Sequence, residues 1–294
     1  MRTFRTDLAD EIVESETSTD IYTQKKSSYK GININHIIIH RYDESIGKIP
    51  GDYYSIEFPH LNDEDVREAV KEVVSDTLQQ LLNKYKINDD SVVFVAGLGN
   101  SDVTPDALGP VTTSNVIVTK HLFDFGFDGI PEGTKKVAVL TPGVMGQTGI
   151  ETSDIVNSVC NEIKPDCVIV IDALASRSIK RVNKVIQITD AGINPGSGVK
   201  NNRKEISKEV LGIPVIAIGV ATVVEIMSII DETFRTLMRQ GKAIPDIDTL
   251  YNYYNEDELG MIVTPKEIDE QVENIAVTIS DSINMALHRN LDQL

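Results

Sequence analysis

The chain has 294 residues, of which 41% are hydrophobic and 25% are charged, a composition typical of a globular protein with a buried core. Its formal net charge of −17 disfavours direct binding to nucleic-acid phosphates and either serves solubility or attracts a basic partner. The chain has no apolar run of the roughly 20 residues that a membrane span needs, and its polar start lacks the apolar segment of a secretory signal, so we expect a cytoplasmic protein.

The first third of the chain predicts a β-hairpin followed by a helix. Residues 1–30 are polar and are predicted to be flexible or weakly packed. Apolar runs at 34–40 and 52–58 flank a turn-rich link, which favours a hairpin. The next segment has apolar residues at helical spacing, and Asn62 can cap it.

Beyond residue 90 short apolar runs alternate with helical patterns. The predicted strands are 92–97, 136–141, 167–174, 184–189 and 214–219. The predicted helices are about 105–121, 151–163, 221–239 and 265–289. Near-continuous apolar strands separated by helices predict an α/β fold, a mostly parallel sheet sandwiched by helices, with the hairpin as an N-terminal decoration. Sites in such folds lie beyond the carboxyl ends of the strands.

The loop after 92–97 carries the first candidate site residues. Gly97 and Gly99 follow the strand directly, but Asp102 stands where a dinucleotide fingerprint needs its third glycine, which disfavours a pyrophosphate. Asp106 begins the next predicted helix, where it either caps that helix or serves as a functional carboxylate.

Asp172 ends a run of apolar residues, and a half-buried carboxylate costs free energy unless it is paired or hydrogen-bonded. It is either a turn-forming residue or a functional one, with Arg177 as a candidate ion-pair partner. Two acids at neighbouring strand ends can share one proton and so supply an acid and a base together. Such a pair can activate water against an amide.

Other hydrolytic arrangements find less support in the sequence. There is no G-x-S-x-G or H-E-x-x-H motif, and the five histidines lie outside the predicted site loops. A metal held by Asp106 and Asp172 remains an alternative that lacks a third ligand, while Glu151 is a reserve carboxylate. Cys160 and Cys167 match no common zinc spacing and are predicted to be buried, reduced thiols.

Six segments in this order resemble the spore germination proteases of endospore-forming bacteria: GLGNSDVTPDALGP, TPGVMGQTGIETSDI, VIDALASRS, INPGSGV, GIPVIAIGVATVVE and MIVTPKEID. The resemblance implies an atypical aspartic endopeptidase without a cofactor, whose catalytic pair is Asp106 and Asp172. Gly97, Gly99 and Asn100 would support the site loop. It also implies a fold related to hydrogenase-maturation peptidases and phosphorylases.

A metal-dependent maturation-type endopeptidase that uses the same acids is the alternative. Those maturation enzymes use acidic residues and a nickel ion. Asn194 stands in the loop where a histidine ligand would be expected, which counts against a metal-dependent mechanism.

The resemblance further implies a self-processing zymogen with a propeptide, residues 1–7, before a single α/β peptidase domain, 8–294. The segment RTDLADE mimics the family's substrate site, which predicts a cut between Asp7 and Leu8. The implied substrates are small acid-soluble spore proteins, the implied assembly is a homotetramer without membrane or nucleic-acid partners, and the implied location is the forespore core. Family members are often longer over the stretch of about 240–261, which is short in this chain.

Overall fold

The computed structural model of the chain describes residues 6–13, 20–194, 204–244, 253–254 and 261–290. The strands are β1 (Tyr22–Tyr29), β2 (Ile32–Ile39), β3 (Gly51–Glu57), β4 (Val92–Gly97), β5 (Lys136–Leu140), β6 (Cys167–Ser176), β7 (Val185–Thr189), β8 (Val215–Glu225) and β9 (Ile262–Val263). The helices are α1 (Ala9–Val13), α2 (Glu64–Lys84), α3 (Leu108–Ser114), α4 (Lys120–Asp124), α5 (Met145–Thr148), α6 (Thr152–Ile163), α7 (Lys208–Leu211), α8 (Ile226–Arg239) and α9 (Ile268–Leu287).

All of these strands belong to one mixed sheet with the order β1-β2-β3-β7-β8-β6-β4-β5, and β9 pairs with β8. The β5-β4-β6-β8 section is parallel. The remaining section, β1-β2-β3-β7, is antiparallel throughout and joins the parallel section through the antiparallel pair of β7 and β8. The predicted α/β class is confirmed, and the N-terminal hairpin joins the main sheet through β3 and β7.

Helices cover both faces of the parallel section. Val95, Ile169 and Ile218 belong to the core that includes α2 and α9, whereas Val170 and Ala217 belong to the core that includes α6. Because successive residues of a strand point to opposite faces, a strand buried on both sides reads as a continuous apolar run. This explains why the parallel strands were predictable from hydrophobicity alone.

The prediction of a flexible N-terminal segment was wrong for β1. This strand pairs with β2 along its whole length, and Lys30 and Gly31 turn the chain with φ of 47° and 84°. A two-residue turn with both residues at positive φ matches the twist of a hairpin. β1 is an exposed edge strand with mostly polar side chains, so hydrophobic periodicity does not detect it.

Several predicted helix boundaries also shift. Asp63, rather than Asn62, caps α2 through its side chain. The predicted helix at 105–121 is divided into a 3-10 turn, α3 and α4, and the β-branched run at 116–119 lies between the two helices. Similarly, the β-branched residues at 222–224 extend β8, so the following helix begins at Ile226 and not near Ala221.

The cysteines match their prediction as free, buried thiols. Burial raises the pKa of Cys160 to about 11 and that of Cys167 to about 12, which keeps both protonated at neutral pH. None of the helices among the described residues combines the length and the apolar character needed to cross a bilayer.

One buried histidine links the stability of the fold to pH. His288 follows α9 and is 1% exposed. Burial lowers its pKa to about 4, against an ordinary value of 6.5, and the nearby charge of Lys135 acts in the same direction. The native chain therefore binds the imidazole proton more weakly than the unfolded chain does.

We expect the stabilisation from neutral His288 to be complete above pH 6.5 and to disappear as the pH falls from 6.5 to about 4. A difference of this size corresponds to a loss of up to roughly 3 kcal/mol in the free energy of unfolding. His288→Gln should flatten this part of the profile, as measured by urea unfolding across the range. His121→Gln, at an exposed position, is the control, and identical profiles for wild type and His288→Gln would contradict the prediction.

Candidate active site

The candidate site is built on the two longest strands of the sheet. β6 has ten residues and β8 has eleven, and their pairing continues past the last residue of β4, Gly97, which pairs with Ile171. Leu174 lies opposite Ala221 whereas Ala175 lies opposite Val223, so the register shifts by one residue. The extra residue of this β-bulge is Thr222 of β8.

Asp172 lies within β6 and not beyond its end, because β6 continues to Ser176. Its side chain is on the face that also carries Val168 and Val170, and the residue is 5% exposed. Its Oδ1 accepts a hydrogen bond from the N–H of Ala173 at 2.9 Å. Opposite Asp172 on β8 is Gly219.

Asp106 ends the 3-10 turn Thr104–Asp106, which lies against β6 and β8. The Asn100 N–H donates to Oδ2 of Asp106 at 2.8 Å and to its carbonyl at 3.1 Å. The bulge residue Thr222 donates from Oγ1 to the Pro105 carbonyl at 2.6 Å. The bulge thus fixes the Asp106 turn against the strand pair that carries Asp172, at the same end of the sheet.

The end of β4 and the loop that follows it each require a glycine. Gly99 has a φ of 109°, and a Cβ there would come within 2.0 Å of the Asp106 carbonyl oxygen. A Cβ on Gly97 would come within 2.3 Å of the Gly109 carbonyl oxygen, where α3 packs on the strand. The two glycines therefore allow the close approach that brings the Asp106 turn onto the sheet.

The structure also places the other polar residues singled out in the sequence. Asn100 Oδ1 accepts from Gln147 Nε2 at 2.7 Å, and exposed Asp102 accepts from the same group at 3.3 Å. Glu151 occupies the N-cap position of α6, and Asn194 is exposed. In the described part of the chain no group of three or more His, Cys, Asp or Glu residues could hold a metal ion.

The N-terminal segment docks on the free end of β6. Asp7 donates its N–H to the Ala175 carbonyl at 3.0 Å, and its Oδ2 accepts the Ala175 N–H at 2.9 Å. The Glu11 carboxylate accepts from Ser176 Oγ and from the Arg177 N–H, each at 2.8 Å. The Arg177 guanidinium donates to the Glu11 carbonyl.

The Asp7–Leu8 peptide bond is held by three features that the sequence did not reveal. Leu8 is fully buried in a cluster with Leu174, Val185 and Ala221. The Asp7 carbonyl accepts from Lys48 Nζ at 2.9 Å and from Gln187 Nε2 at 3.1 Å. Gln187 Oε1 accepts the Ala9 N–H at 2.7 Å.

Of the two side chains that bind the Asp7 carbonyl, only Gln187 could have been singled out from the sequence. Gln187 interrupts the apolar run of β7, and a polar residue in a buried strand can indicate a functional position. Lys48 lies in the turn-rich link between β2 and β3, where a lysine is not unusual, so the sequence did not single it out. Burial lowers the pKa of the Lys48 ammonium, and the Asp7 carboxylate acts in the opposite direction.

Comparison with known proteins identifies the family. A family model described as germination protease matches residues 4–253. The chain belongs to the germination protease family. The germination protease of a Geobacillus species (strain WCH70) is 38% identical over 356 aligned positions, which cover 100% of this chain and 96% of the relative. That of Priestia megaterium is 39% identical over 320 positions, covering 92% and 86%.

The predictions of family membership and of a peptidase that acts in spore germination are confirmed. The Geobacillus alignment has more positions than the 294 residues of this chain, so the relative contains residues that this germination protease lacks. Most of the stretch 240–261, which was predicted to be short, lies outside the described residues. A hydrogenase maturation protease, HycI from Thermococcus kodakarensis, is 17% identical, with a TM-score of 0.35 over 70% of this chain and 98% of its own.

Gly99→Ala should displace the Asp106 turn, because the new Cβ would overlap the Asp106 carbonyl oxygen in addition to straining a positive φ. We expect a loss of about 2–4 kcal/mol in the free energy of unfolding and a large loss of peptidase activity. Gly126→Ala is the matched control, since Gly126 also has a positive φ but no atom lies within 4 Å of the position that its new Cβ would take. That variant should lose only about 1 kcal/mol and keep its activity. Equal losses in the two variants would contradict the proposed role of the contact.

Proposed function

We propose that this germination protease is a self-processing endopeptidase in which Asp106 and Asp172 activate water. The observation that carries the proposal is the docking of the Asp7–Leu8 bond across β6, β7 and β8, the strands around Asp172. Asp7 is anchored on Ala175, three residues after Asp172 in the same strand. The chain's own segment thus occupies the surface on which a substrate would bind.

Hydrolysis of one peptide bond uses one water molecule and the pair of acids, which share one proton. The ionised carboxylate removes a proton from water as the water oxygen bonds to the Asp7 carbonyl carbon, and the π electrons move to the carbonyl oxygen. When the C=O double bond reforms, the C–N bond breaks and its electron pair stays on the Leu8 nitrogen. A carboxylic acid of the pair gives that nitrogen a proton, which leaves a carboxyl terminus at Asp7 and a free amine at Leu8.

The same chemistry acts on protein substrates in trans. Residues 1–7 would be the propeptide and 8–294 the single peptidase domain. We assign small acid-soluble spore proteins as substrates, a homotetramer as the assembly and the forespore core as the location. The family match supports a peptidase that acts on spore proteins, and the net charge of −17 is suited to a basic or cationic substrate chain.

Asp106→Asn and Asp172→Asn should each abolish cleavage of a small spore protein, because neither amide can take the proton from water. Asp102→Asn, at an exposed position of the same loop, is the matched control and should remain active. Cleavage is followed by gel electrophoresis, and folding by circular dichroism. Full activity in either dyad variant would refute the pair, and loss of activity on chelation would favour the metal-dependent alternative.

N-terminal sequencing tests the processing site separately. A purified chain that is allowed to mature should yield a new terminus at Leu8, since Gln187 binds the Asp7 carbonyl and Leu8 is buried beside it. The Asp172→Asn chain should keep Met1 under the same conditions. A mature wild-type terminus at another residue would overturn the assignment of the bond.

A further inference from the structure

Two donors from different parts of the fold converge on one carbonyl oxygen. Lys48 approaches the Asp7 carbonyl from the link between β2 and β3, and Gln187 approaches it from β7. Both distances, 2.9 and 3.1 Å, are those of real hydrogen bonds. A carbonyl needs only one such bond to be satisfied, so a pair that includes an ammonium group indicates more than anchoring.

Gln187 also fixes the orientation of the peptide bond. Its Nε2 donates to the carbonyl of Asp7, and its Oε1 accepts the N–H of Ala9. The amide therefore contacts the backbone on both sides of the Asp7–Leu8 bond, while Leu8 is buried among Leu174, Val185 and Ala221. These contacts hold the plane of the bond against rotation.

The register of the sheet relates Gln187 to one of the candidate acids. Gln187 is opposite Gly219, and Gly219 is opposite Asp172. Residues that are opposite one another in a sheet point to the same face, so Gln187 and Asp172 lie in one row across β7, β8 and β6. Their backbones are two strand spacings apart, which is about 10 Å. The carbonyl thus binds a side chain of the row that contains Asp172.

We propose that Lys48 and Gln187 form the oxyanion-binding pair of this peptidase, holding the carbonyl oxygen of the residue before the cut. The inference rests on the proposed function, since it takes Asp7–Leu8 as the bond that is cleaved. When water adds to the carbonyl carbon, the π electrons move to the oxygen, and the negative charge faces an ammonium and an amide N–H that are already in place. Donors placed in advance of the charge stabilise it most.

A pair that only anchors the N-terminal segment makes a different prediction. Anchoring contacts are equally strong before and during the reaction, so their loss would release the segment without changing the chemistry of the docked bond. Oxyanion contacts strengthen in the transition state, so their loss slows cleavage of a segment that is still docked. Docking and rate therefore have to be measured on the same variants.

The experiment measures the first-order rate of self-cleavage by mass spectrometry, and the docking of residues 6–13 by hydrogen exchange, in the full-length chain. Lys48→Met removes the charge, and Lys48→Arg retains it. Gln187→Glu removes the donor to Asp7 but keeps an oxygen for the Ala9 N–H. Gln187→Met removes the donor without adding a charge, should the buried glutamate prevent folding. Lys26→Met, on the exposed face of β1, is the control.

We expect Lys48→Met and the Gln187 variants to cleave about 100- to 1,000-fold more slowly, with the segment still protected from exchange. Lys48→Arg should recover part of the rate, and Lys26→Met should match wild type. Wild-type rates in both Lys48→Met and Gln187→Glu, or slow cleavage accompanied by loss of protection, would overturn the proposal.

The proposed function fails in a different way. A wild-type chain that never cuts the Asp7–Leu8 bond, or an Asp172→Asn chain that cuts at the wild-type rate, would remove the proposed function and this inference together. Unchanged rates in the Lys48 and Gln187 variants of an enzyme that depends on Asp172 would remove the inference alone.

Discussion

The bulge at Thr222 is the constraint on which the candidate site depends. A regular β6–β8 ladder would turn residue 222 into one more cross-strand partner, whereas the extra residue directs its hydroxyl to the Pro105 carbonyl. This hydrogen bond holds the turn that ends in Asp106, and the carbonyl of Thr222 accepts from Thr264 in the segment after β9. One register shift therefore ties the loop after β4 and a late segment of the chain to the strands around Asp172.

The same strand pair explains why the N-terminal segment docks where it does. Beyond the end of β4, no strand among the described residues pairs with that edge of β6, and Ala175 there exchanges hydrogen bonds with Asp7. An unpaired strand edge is a template for an extended peptide. Leu174 leans over Gly219, whose missing side chain leaves the room it needs, and completes the apolar cluster around Leu8. Backbone pairing and a side-chain pocket thus combine to position a single peptide bond.

The sequence predicted those candidate site residues whose neighbours along the chain make them stand out. Asp172 interrupts an apolar strand, and a buried carboxylate in such a run indicates a function or a paired charge. The parallel strands are buried on both faces, so they were recognised as continuous apolar runs. β1 was missed because an exposed edge strand carries polar side chains. Lys48 and Thr222 were missed for another reason: their roles depend on sheet register and on a distant turn, and neither is encoded in neighbouring residues.

The position of Lys48 indicates that the N-terminal hairpin contributes to the candidate site and is not only a decoration of the sheet. Lys48 lies in the link between β2 and β3, and its Nζ reaches the Asp7 carbonyl that Gln187 of β7 also binds. The hairpin thereby brings a positive charge to the carbonyl of Asp7, in a chain with a large excess of acidic residues. An ammonium held beside a carbonyl favours electron density on that oxygen, whereas in the proposed mechanism the acids take a proton from water. In the proposed mechanism the two effects act on the two atoms of one carbonyl group, the ammonium on its oxygen and the acids, through water, on its carbon.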